Sequence, residues 1–246
     1  MVGSFNETAQ QVWDFVRCQR PDGSHYGTAG KCRKGTEVAG YDKWNTLAKG
    51  NYGAVRINPE GTRVVKTLLT HNGQKGEFGP YEVELATKMG ELGHSPKIYS
   101  HSEDHIEMDV APGKTLWANY TRGKGEPVMN AAQARKAGSA IRSLHELGFA
   151  HNDNHALQYL VNGDNVKLVD FGLSVPLSRN PVKAMNDLSK IDPLVRWNNP
   201  ELANDPYFAH VNKYLAEYKA VEGESKKAKN QRLKIAEAYL KGLESL

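Results

Sequence analysis

Residues 151–172, with the sequence HNDNHALQYLVNGDNVKLVDFG, constrain the fold of this chain more than any other stretch. Asp153 and Asp170 lie seventeen positions apart in it, and an apolar run at residues 166–169 leads directly into Asp170. A short apolar run bounded by polar residues is typical of a buried strand, so we expect Asp170 at a strand end and Asp153 in a loop. Two carboxylates placed in this way indicate a site for a hard cation, which prefers oxygen ligands.

Strand patterns dominate the first half of the chain and helical patterns the second. Alternating apolar and polar residues predict strands over residues 41–47, 49–57, 62–67, 97–99 and 106–110, with a turn at 58–61. Helical spacing predicts helices over residues 80–92, 130–147 and beyond Asp205, with a break at Gly223. Asn130 suits the N-cap of the second helix, and Gly148 suits its end. This order predicts an α+β fold, in which a small antiparallel β lobe precedes a mostly helical lobe.

Composition excludes several classes of protein. With 246 residues, 39% hydrophobic and 24% charged, the chain has the profile of a soluble globular protein. No apolar run is long enough for a membrane helix, and the N-terminus has no basic-then-apolar signal, so we expect a cytoplasmic protein. Delivery into a host cell by a specialised secretion system, or encoding by a phage, stays open.

Cys18 and Cys32 are too few for a disulfide framework. The basic run at residues 225–234 favours a solvated helix face over a nucleic-acid contact.

A glycine-containing segment, Gly50-Asn51-Tyr52-Gly53-Ala54-Val55, joins two predicted strands. Backbone N–H groups in such a segment can approach a phosphate chain closely, but a tight hairpin accounts for the same residues. Lys66 follows on the next strand, where we expect its ammonium group to face a cleft and contact phosphate. Glu82 or Glu84 on the following helix could pair with Lys66, and counting along the helix favours Glu82.

Five segments, in this order, resemble the protein-kinase-like superfamily. They are residues 50–55, Val65-Lys66, a hinge-like stretch at 108–116, the loop around Asp153, and Asp170-Phe171-Gly172. Residues 144–153 also resemble the end of the long helix of the second lobe and the start of the catalytic loop. The resemblance covers about residues 41–175. It implies a bilobal protein-kinase-like fold.

The resemblance also implies a role for each site residue. Lys66 would hold the phosphates of ATP, paired with Glu82. Asp153 would position the acceptor hydroxyl, and Asp170 with Gln158 would bind Mg²⁺, or Mn²⁺ in its place. Adenine would be held by backbone groups of Asp109 and Ala111. The full set expected around the nucleotide is Gly50, Asn51, Tyr52, Gly53, Val55, Lys66, Met108, Asp109 and Ala111.

At three positions the sequence differs from the pattern of the superfamily, and these differences indicate which branch it resembles. Ala48 replaces the first glycine of the phosphate loop, and His155 stands where serine/threonine kinases of the eukaryotic type carry lysine. The resulting His-x-Asp-x-His form resembles the atypical and minimal branch: RIO- and Bud32-like kinases, sugar or antibiotic phosphotransferases, and compact bacterial effector kinases. Gln158 replaces the asparagine that binds a second magnesium. Three interpretations of Gln158 are open: it reaches the metal, it changes the metal preference, or it marks a weak or inactive enzyme.

Family landmarks fade after Gly172. Asn199-Pro200-Glu201 is a distant counterpart of the Ala-Pro-Glu triplet, and Asn186-Asp187-Leu188 resembles an Asp-Leu pair found on a helix soon after the metal site. Some seventy residues remain, which predicts a reduced second lobe without a regulated activation segment. We expect three parts: an N-terminal extension at residues 1–40 with a short helix and a glycine-rich loop, a first lobe at 41–110, and a reduced second lobe at 111–246.

The expected function is that of an ATP-dependent kinase that phosphorylates serine or threonine of a protein. We expect a monomer with a protein substrate, without nucleic-acid or membrane partners. Three alternatives remain: a small-molecule phosphotransferase, a pseudokinase or binding module, and transfer of AMP instead of phosphate. Retention of Lys66, Asp153 and Asp170 favours an enzyme over a pseudokinase.

Overall fold

The computed structural model describes residues 40, 41, 43–49, 53–68, 70, 71, 74, 75, 77–116 and 129–246. The predicted N-terminal helix, the glycine-rich loop, Cys18 and Cys32 all lie outside these residues. In the part of the chain that is described, no helix is long and apolar enough to cross a membrane.

The first lobe is built on an antiparallel sheet. Its strands are β1 (Asn45–Lys49), β2 (Gly53–Ile57), β3 (Arg63–Leu68), β6 (Ile98–His101) and β7 (His105–Asp109). They are ordered β1-β2-β3-β7-β6 in space. A short additional pair consists of β4 (Thr70–His71) and β5 (Gln74–Lys75). The turn between β2 and β3 follows from Asn58, whose side chain accepts hydrogen bonds from the N–H groups of Thr62 and Arg63.

Helix α1 (Glu82–Glu91) lies between the sheet and the second lobe. It begins two residues later than the sequence predicts, because residues 79–82 form a turn in which the N–H of Glu82 donates to the carbonyl of Gly79 at 3.0 Å. Leu85 and Met89 are fully buried and belong to the same hydrophobic core as the second lobe. The helix is therefore fixed against both lobes.

The second lobe combines four helices with short strands in its described residues. The helices are α2 (Ala131–Glu146), α3 (Val182–Val195), α4 (Pro206–Lys219) and α5 (Lys226–Leu243). The strands are β8 (Lys114–Thr115), β9 (Phe149–Ala150), β10 (Tyr159–Asn162), β11 (Asn165–Leu168) and β12 (Val175–Pro176). They form a three-stranded sheet, β11-β10-β8, and a pair, β12-β9. Short 3₁₀ helices lie at Ala156–Gln158, Phe171–Leu173 and Pro200–Leu202.

Helix α2 is the centre of this lobe. Asn130 caps it with a reciprocal pair of bonds, in which its side chain accepts from the N–H of Gln133 and the Gln133 side chain accepts from the N–H of Asn130. Its buried stripe includes Ala137, Ile141 and Leu144, which pack in one core with residues of α3, α4 and α5. Gly148 ends the helix with a φ of 84°, a conformation that favours glycine.

The predicted α+β class is confirmed: an antiparallel β lobe is followed by a mostly helical lobe. The helices beyond Asp205 and the break at Gly223, which has a φ of 77°, also agree with the sequence pattern. The sequence pattern did not delimit α3, whose only predicted part was the segment around Asp187. The predicted domain boundaries stay a prediction.

Candidate active site

Lys66 and Glu82 form an ion pair between the sheet and helix α1. Lys66 Nζ donates to Glu82 Oε1 at 2.5 Å. Glu82 is the first residue of α1 and is 5% exposed. Glu84, the alternative that the sequence offers, is exposed and pairs with Lys88 along the helix at 2.6 Å. The start of α1 therefore brings Glu82, and not Glu84, to Lys66.

Asp170 is a second carboxylate on the same lysine. Lys66 Nζ donates to Asp170 Oδ1 at 2.7 Å, across 104 residues of sequence. Asp170 has a φ of 65° and a ψ of 69°, a left-handed conformation that is uncommon for a residue with a side chain. Such strain concentrates at functional sites, where the surrounding structure holds it. One lysine thus joins strand β3, helix α1 and the segment after β11.

Lys66 and Asp170 stabilise each other in the ionised form. Burial alone lowers the pKa of Lys66, but the negative charges of Asp170 and Glu82 outweigh it, so the pKa lies above its usual value. Burial raises the pKa of Asp170, but the charge of Lys66 and its hydrogen bond outweigh this, so that pKa lies below its usual value. Both side chains are therefore charged at neutral pH.

Two glycines allow the close approach of α1 to Asp170. A Cβ on Gly79 would lie 2.1 Å from the carbonyl oxygen of Gly172, and a Cβ on Gly172 would lie 3.0 Å from Glu82 Oε2. The N–H of Gly79 also donates to Glu82 Oε2 at 3.2 Å. Gly79 is thus a site residue that sequence reasoning missed; its only signal was a Gly-Pro pair before a helix, which usually marks a turn.

Asp153 has two neighbours on its own loop. Gln158 Nε2 donates to Asp153 Oδ2 at 3.0 Å, and His155 Nε2 lies 3.3 Å from the same oxygen. The β10–β11 hairpin brings this loop to Asp170, because the N–H of Val169 donates to the carbonyl of Gln158 at 2.9 Å. Asp153, in the loop before β10, and Asp170, which follows β11, therefore both lie at the same end of the β10–β11 hairpin.

Asp187 on α3 holds the loop that contains Asp153 through backbone hydrogen bonds. Its carboxylate accepts the backbone N–H groups of His151 at 2.6 Å and Asn152 at 2.9 Å, and it is fully buried. Asn154 is buried as well, donates to the carbonyl of Asp187 and accepts from the Tyr159 hydroxyl at 2.7 Å. The sequence indicated Asp187 only through the family resemblance and gave Asn154 no role.

His151 is part of the packing of the loop. It is fully buried, its Nε2 lies 3.0 Å from the carbonyl oxygen of Val169, and its ring contacts Phe171. Burial lowers the pKa of His151, so the ring is neutral and its Nε2–H donates to that carbonyl. The histidine therefore joins the Asp153 loop to the Asp170 segment.

The residues expected around a nucleotide lie along the sheet next to Lys66. Gly53 and Val55 are on β2, and Val55 pairs directly with Lys66 on β3. A Cβ on Gly53 would lie 2.9 Å from the carbonyl oxygen of Thr67, so the chain can pass this closely over β3 only with glycine. Gly50, Asn51 and Tyr52 lie outside the described residues.

Met108 and Asp109 end strand β7, and Ala111 follows in the connection to the second lobe. The N–H of Asp109 donates to the carbonyl of Lys97 at 2.9 Å. An adenine contact at Asp109 would therefore use its carbonyl oxygen.

Asp170 and Gln158 offer a carboxylate and an amide oxygen, a donor set that fits Mg²⁺. Among the described residues, no group of three or more histidine, cysteine, aspartate or glutamate side chains could hold a metal ion by itself. A cation at Asp170 and Gln158 would thus take its remaining ligands from phosphate oxygens and water.

Comparisons with known proteins leave the family open. No protein-family model matches the sequence, and no curated protein is significantly similar to it. Among solved structures 1459 chains match, and one of them is the kinase PK-1 of Cydia pomonella granulovirus. It is 15% identical, with a TM-score of 0.46, and the match covers 79% of this chain and 86% of that one. At this identity and TM-score, the likeness assigns neither a family nor an activity to the chain.

Proposed function

We propose that the chain is an ATP-dependent kinase that transfers the γ-phosphoryl group to a serine or threonine of a protein. The observation that carries the proposal is the double ion pair of Lys66, at 2.5 Å to Glu82 and 2.7 Å to Asp170. Phosphoryl transfer depends mostly on positioning and on electrostatic stabilisation of phosphate oxygens. A charged lysine, fixed from two sides at the junction of the lobes, meets this requirement.

In the proposed reaction the bond between the γ-phosphorus and the β-phosphate oxygen breaks, and a bond to the acceptor oxygen forms. Asp153 orients the acceptor hydroxyl and takes its proton. Lys66 holds phosphate oxygens with its remaining N–H, while Glu82 and Asp170 keep its side chain in place. Bound Mg²⁺ would neutralise phosphate charge, and Asp170 and Gln158 are the residues that would hold it.

A protein acceptor is favoured by the surroundings of Asp153. Asp153 is partly exposed. Leu173 is 57% exposed, and its carbonyl accepts from the side chain of Asn152 at 3.0 Å. An acceptor that arrives as an extended chain could lie across this open surface. Serine or threonine follows from the family resemblance and not from any contact in the structure.

A non-catalytic nucleotide-binding protein is the second candidate, and Gln158 is the observation that favours it. Its side-chain amide donates to the same Asp153 oxygen that His155 approaches. If this contact persists with substrates bound, that oxygen is less available to an acceptor hydroxyl. Both candidates give Lys66 and Asp170 a role in binding the nucleotide. They differ in whether Asp153 acts on an acceptor hydroxyl.

Intact-mass spectrometry of the purified chain after incubation with ATP, Mg²⁺ or Mn²⁺, and a mixture of generic acceptor proteins tests the proposal. A phosphate-sized mass gain is expected on the chain or on an acceptor. Asp170→Asn should lower the rate by roughly a thousandfold or more, since it removes the charge that complements the lysine and the metal. An AMP-sized gain would establish nucleotidyl transfer instead.

Glu82 and Glu84 provide a matched pair of variants for the same assay. Glu82→Gln should lower kcat/KM by about ten- to a hundredfold, because Lys66 loses one of its two carboxylate partners. Glu84→Gln removes the same charge from an exposed ion pair and should change kcat/KM by less than about twofold. Nucleotide binding without any mass gain, in wild type and all acceptor mixtures, would favour the non-catalytic candidate.

A further inference from the structure

One face of helix α3 directs two lysines toward the loop that contains Asp153. Lys183, Asn186, Asp187 and Lys190 stand at positions i, i+3, i+4 and i+7, which share one side of an α-helix. Together with Asn152 and Ser189, they line an open cleft with a volume of about 260 Å³. Asn152 directly precedes Asp153 in the chain. The cleft therefore adjoins the loop that contains the group we assign to the acceptor hydroxyl.

The charges of the cleft favour an anion. Of the described residues that line it, only Asp187 is acidic, and its carboxylate is fully buried and already accepts the N–H groups of His151 and Asn152. Lys190 Nζ donates to the carbonyl of Asn152 at 3.1 Å, which places its ammonium group beside the loop. Within the described part of the chain, neither Lys183 nor Lys190 forms an ion pair. Two cations thus remain without a carboxylate of their own.

The other polar groups of the cleft are neutral. Asn186 accepts a hydrogen bond from the Tyr218 hydroxyl at 2.9 Å, which orients its amide. The Asn152 side chain donates to the carbonyl of Leu173, whose apolar side chain is exposed. A single exposed leucine is ordinary on a protein. Because the backbone of Leu173 is hydrogen-bonded to Asn152 of the cleft, however, this leucine offers an apolar contact to a peptide bound there.

We propose that this cleft binds an anionic side chain of the acceptor protein, so that the kinase prefers acidic or already phosphorylated peptides. The inference rests on the kinase function proposed above and names its substrate class. An extended peptide advances about 3.3 Å per residue. An anion held beside Asn152 therefore belongs to a residue roughly one to four positions from the phosphorylated hydroxyl.

Peptide binding, measured apart from phosphate transfer, tests the cleft directly. Fluorescein-labelled peptides of one sequence carry a central serine and, at one flanking position at a time, glutamate, phosphoserine or glutamine. The affinity of each peptide for the full chain is measured by fluorescence anisotropy. At one or two flanking positions, the glutamate or phosphoserine peptide should bind roughly three- to tenfold more tightly than the glutamine peptide. The difference should shrink as salt is added. Comparing glutamate with phosphoserine shows which anion the cleft takes.

Reversal of charge at Lys183 separates a direct contact from a structural effect. In Lys183→Glu, a lysine at the same peptide position should bind more tightly than a glutamate. Lys234→Glu makes the same charge change on the exposed side of α5 and should keep the wild-type preference. Equal binding of all three peptides at every position would overturn the proposal, as would a preference that Lys183→Glu leaves intact. Tighter, Lys183-dependent binding of a single-stranded oligonucleotide would overturn it as well.

Failure of the kinase function has a different signature from failure of the cleft. A chain that shows the charge-dependent binding but never transfers phosphate would support the cleft as a peptide site and contradict the kinase. Transfer to acidic and neutral peptides at equal kcat/KM would support the kinase and contradict the cleft.

Discussion

The side-chain amide of Gln158 donates to Asp153 Oδ2 at 3.0 Å, so the residue that we propose as a metal ligand also restrains the proposed base. Gln158 is buried and ends the short 3₁₀ helix Ala156–Gln158. An amide carries both a donor and an acceptor group. Its NH₂ can therefore fix Asp153 while its oxygen serves a cation, which a shorter asparagine would have difficulty doing from the same backbone position.

Gln158→Ala is expected to lower kcat by about ten- to a hundredfold, because it removes the proposed metal ligand and the restraint on Asp153 together. Gln158→Asn keeps the amide but loses the reach to Asp153, so a smaller decrease is expected. Steady-state kinetics with Mg²⁺ and with Mn²⁺ measures the kcat of both variants. A kcat of Gln158→Asn above that of the wild type would show instead that the glutamine weakens the enzyme.

The sequence predicts the α+β order of the chain and the strand that leads into Asp170, because both depend on local apolar patterns. It favours Glu82 over Glu84 but cannot fix the start of α1, which depends on a turn whose packing against Gly172 is a contact between distant segments. Asp187 has no local signal either: it lies 36 residues from His151, whose N–H it accepts. Side chains that support a site from another element are invisible to periodicity, however regular the helix that carries them.

Gly79→Ala tests the close contact between α1 and the Asp170 segment. The new Cβ would lie 2.1 Å from the carbonyl oxygen of Gly172, so one of the two backbones must move. Because Glu82 and Asp170 lie on these two segments, their distances to Lys66 must change. We expect a loss of about 2 kcal/mol or more in the free energy of unfolding and a decrease in kcat/KM of at least about tenfold.

Gly93→Ala is the matched control for this variant. Gly93 has a φ of 77°, but a Cβ there would meet nothing within 4 Å. Only the backbone conformation opposes the change, at about 1 kcal/mol, and kcat/KM should stay within about twofold. Urea unfolding and steady-state kinetics measure both variants. Equal effects of the two substitutions on kcat/KM would contradict the role given to Gly79.

Tyr239→Phe tests how α5 supports the loop that contains Asp153. The Tyr239 hydroxyl lies 2.9 Å from His145 Nδ1, and His145 Nε2 lies 3.6 Å from the carboxylate of Asp187. All three side chains are buried, so loss of the hydroxyl leaves a buried ring nitrogen without its partner. The expected cost is about 1–3 kcal/mol in the free energy of unfolding, together with a lower kcat.

Tyr218→Phe removes a hydroxyl of the same kind from a partly exposed position, where it donates to Asn186. Water can replace that bond, so its cost should stay below about 1 kcal/mol. Urea unfolding of the two variants side by side gives the comparison. A cost for Tyr239→Phe no larger than that for Tyr218→Phe would show that the contact with His145 contributes little.

His151 should make the chain less stable as the pH falls below neutrality. An unfolded histidine takes up a proton with a pKa of about 6.5, whereas burial lowers the pKa of His151 in the folded chain. Between these two values the unfolded state binds more protons, so stability decreases with falling pH and becomes constant again below the folded value. Burial lowers the pKa of His94 and His210 as well, so they add to the same trend.

The variant His151→Phe keeps an aromatic ring beside Phe171 but cannot take up a proton. Urea unfolding between pH 7.5 and 5 should show a shallower decrease for this variant than for the wild type, by at most about 1.4 kcal/mol per pH unit, the value for one proton. The absolute stability of the variant will also fall, since the bond to the Val169 carbonyl is lost, but that loss does not depend on pH. Only the slopes therefore report on protonation. Identical slopes would mean that His151 takes up a proton with the same pKa in the folded and unfolded chains, which would contradict the lowering of its pKa by burial.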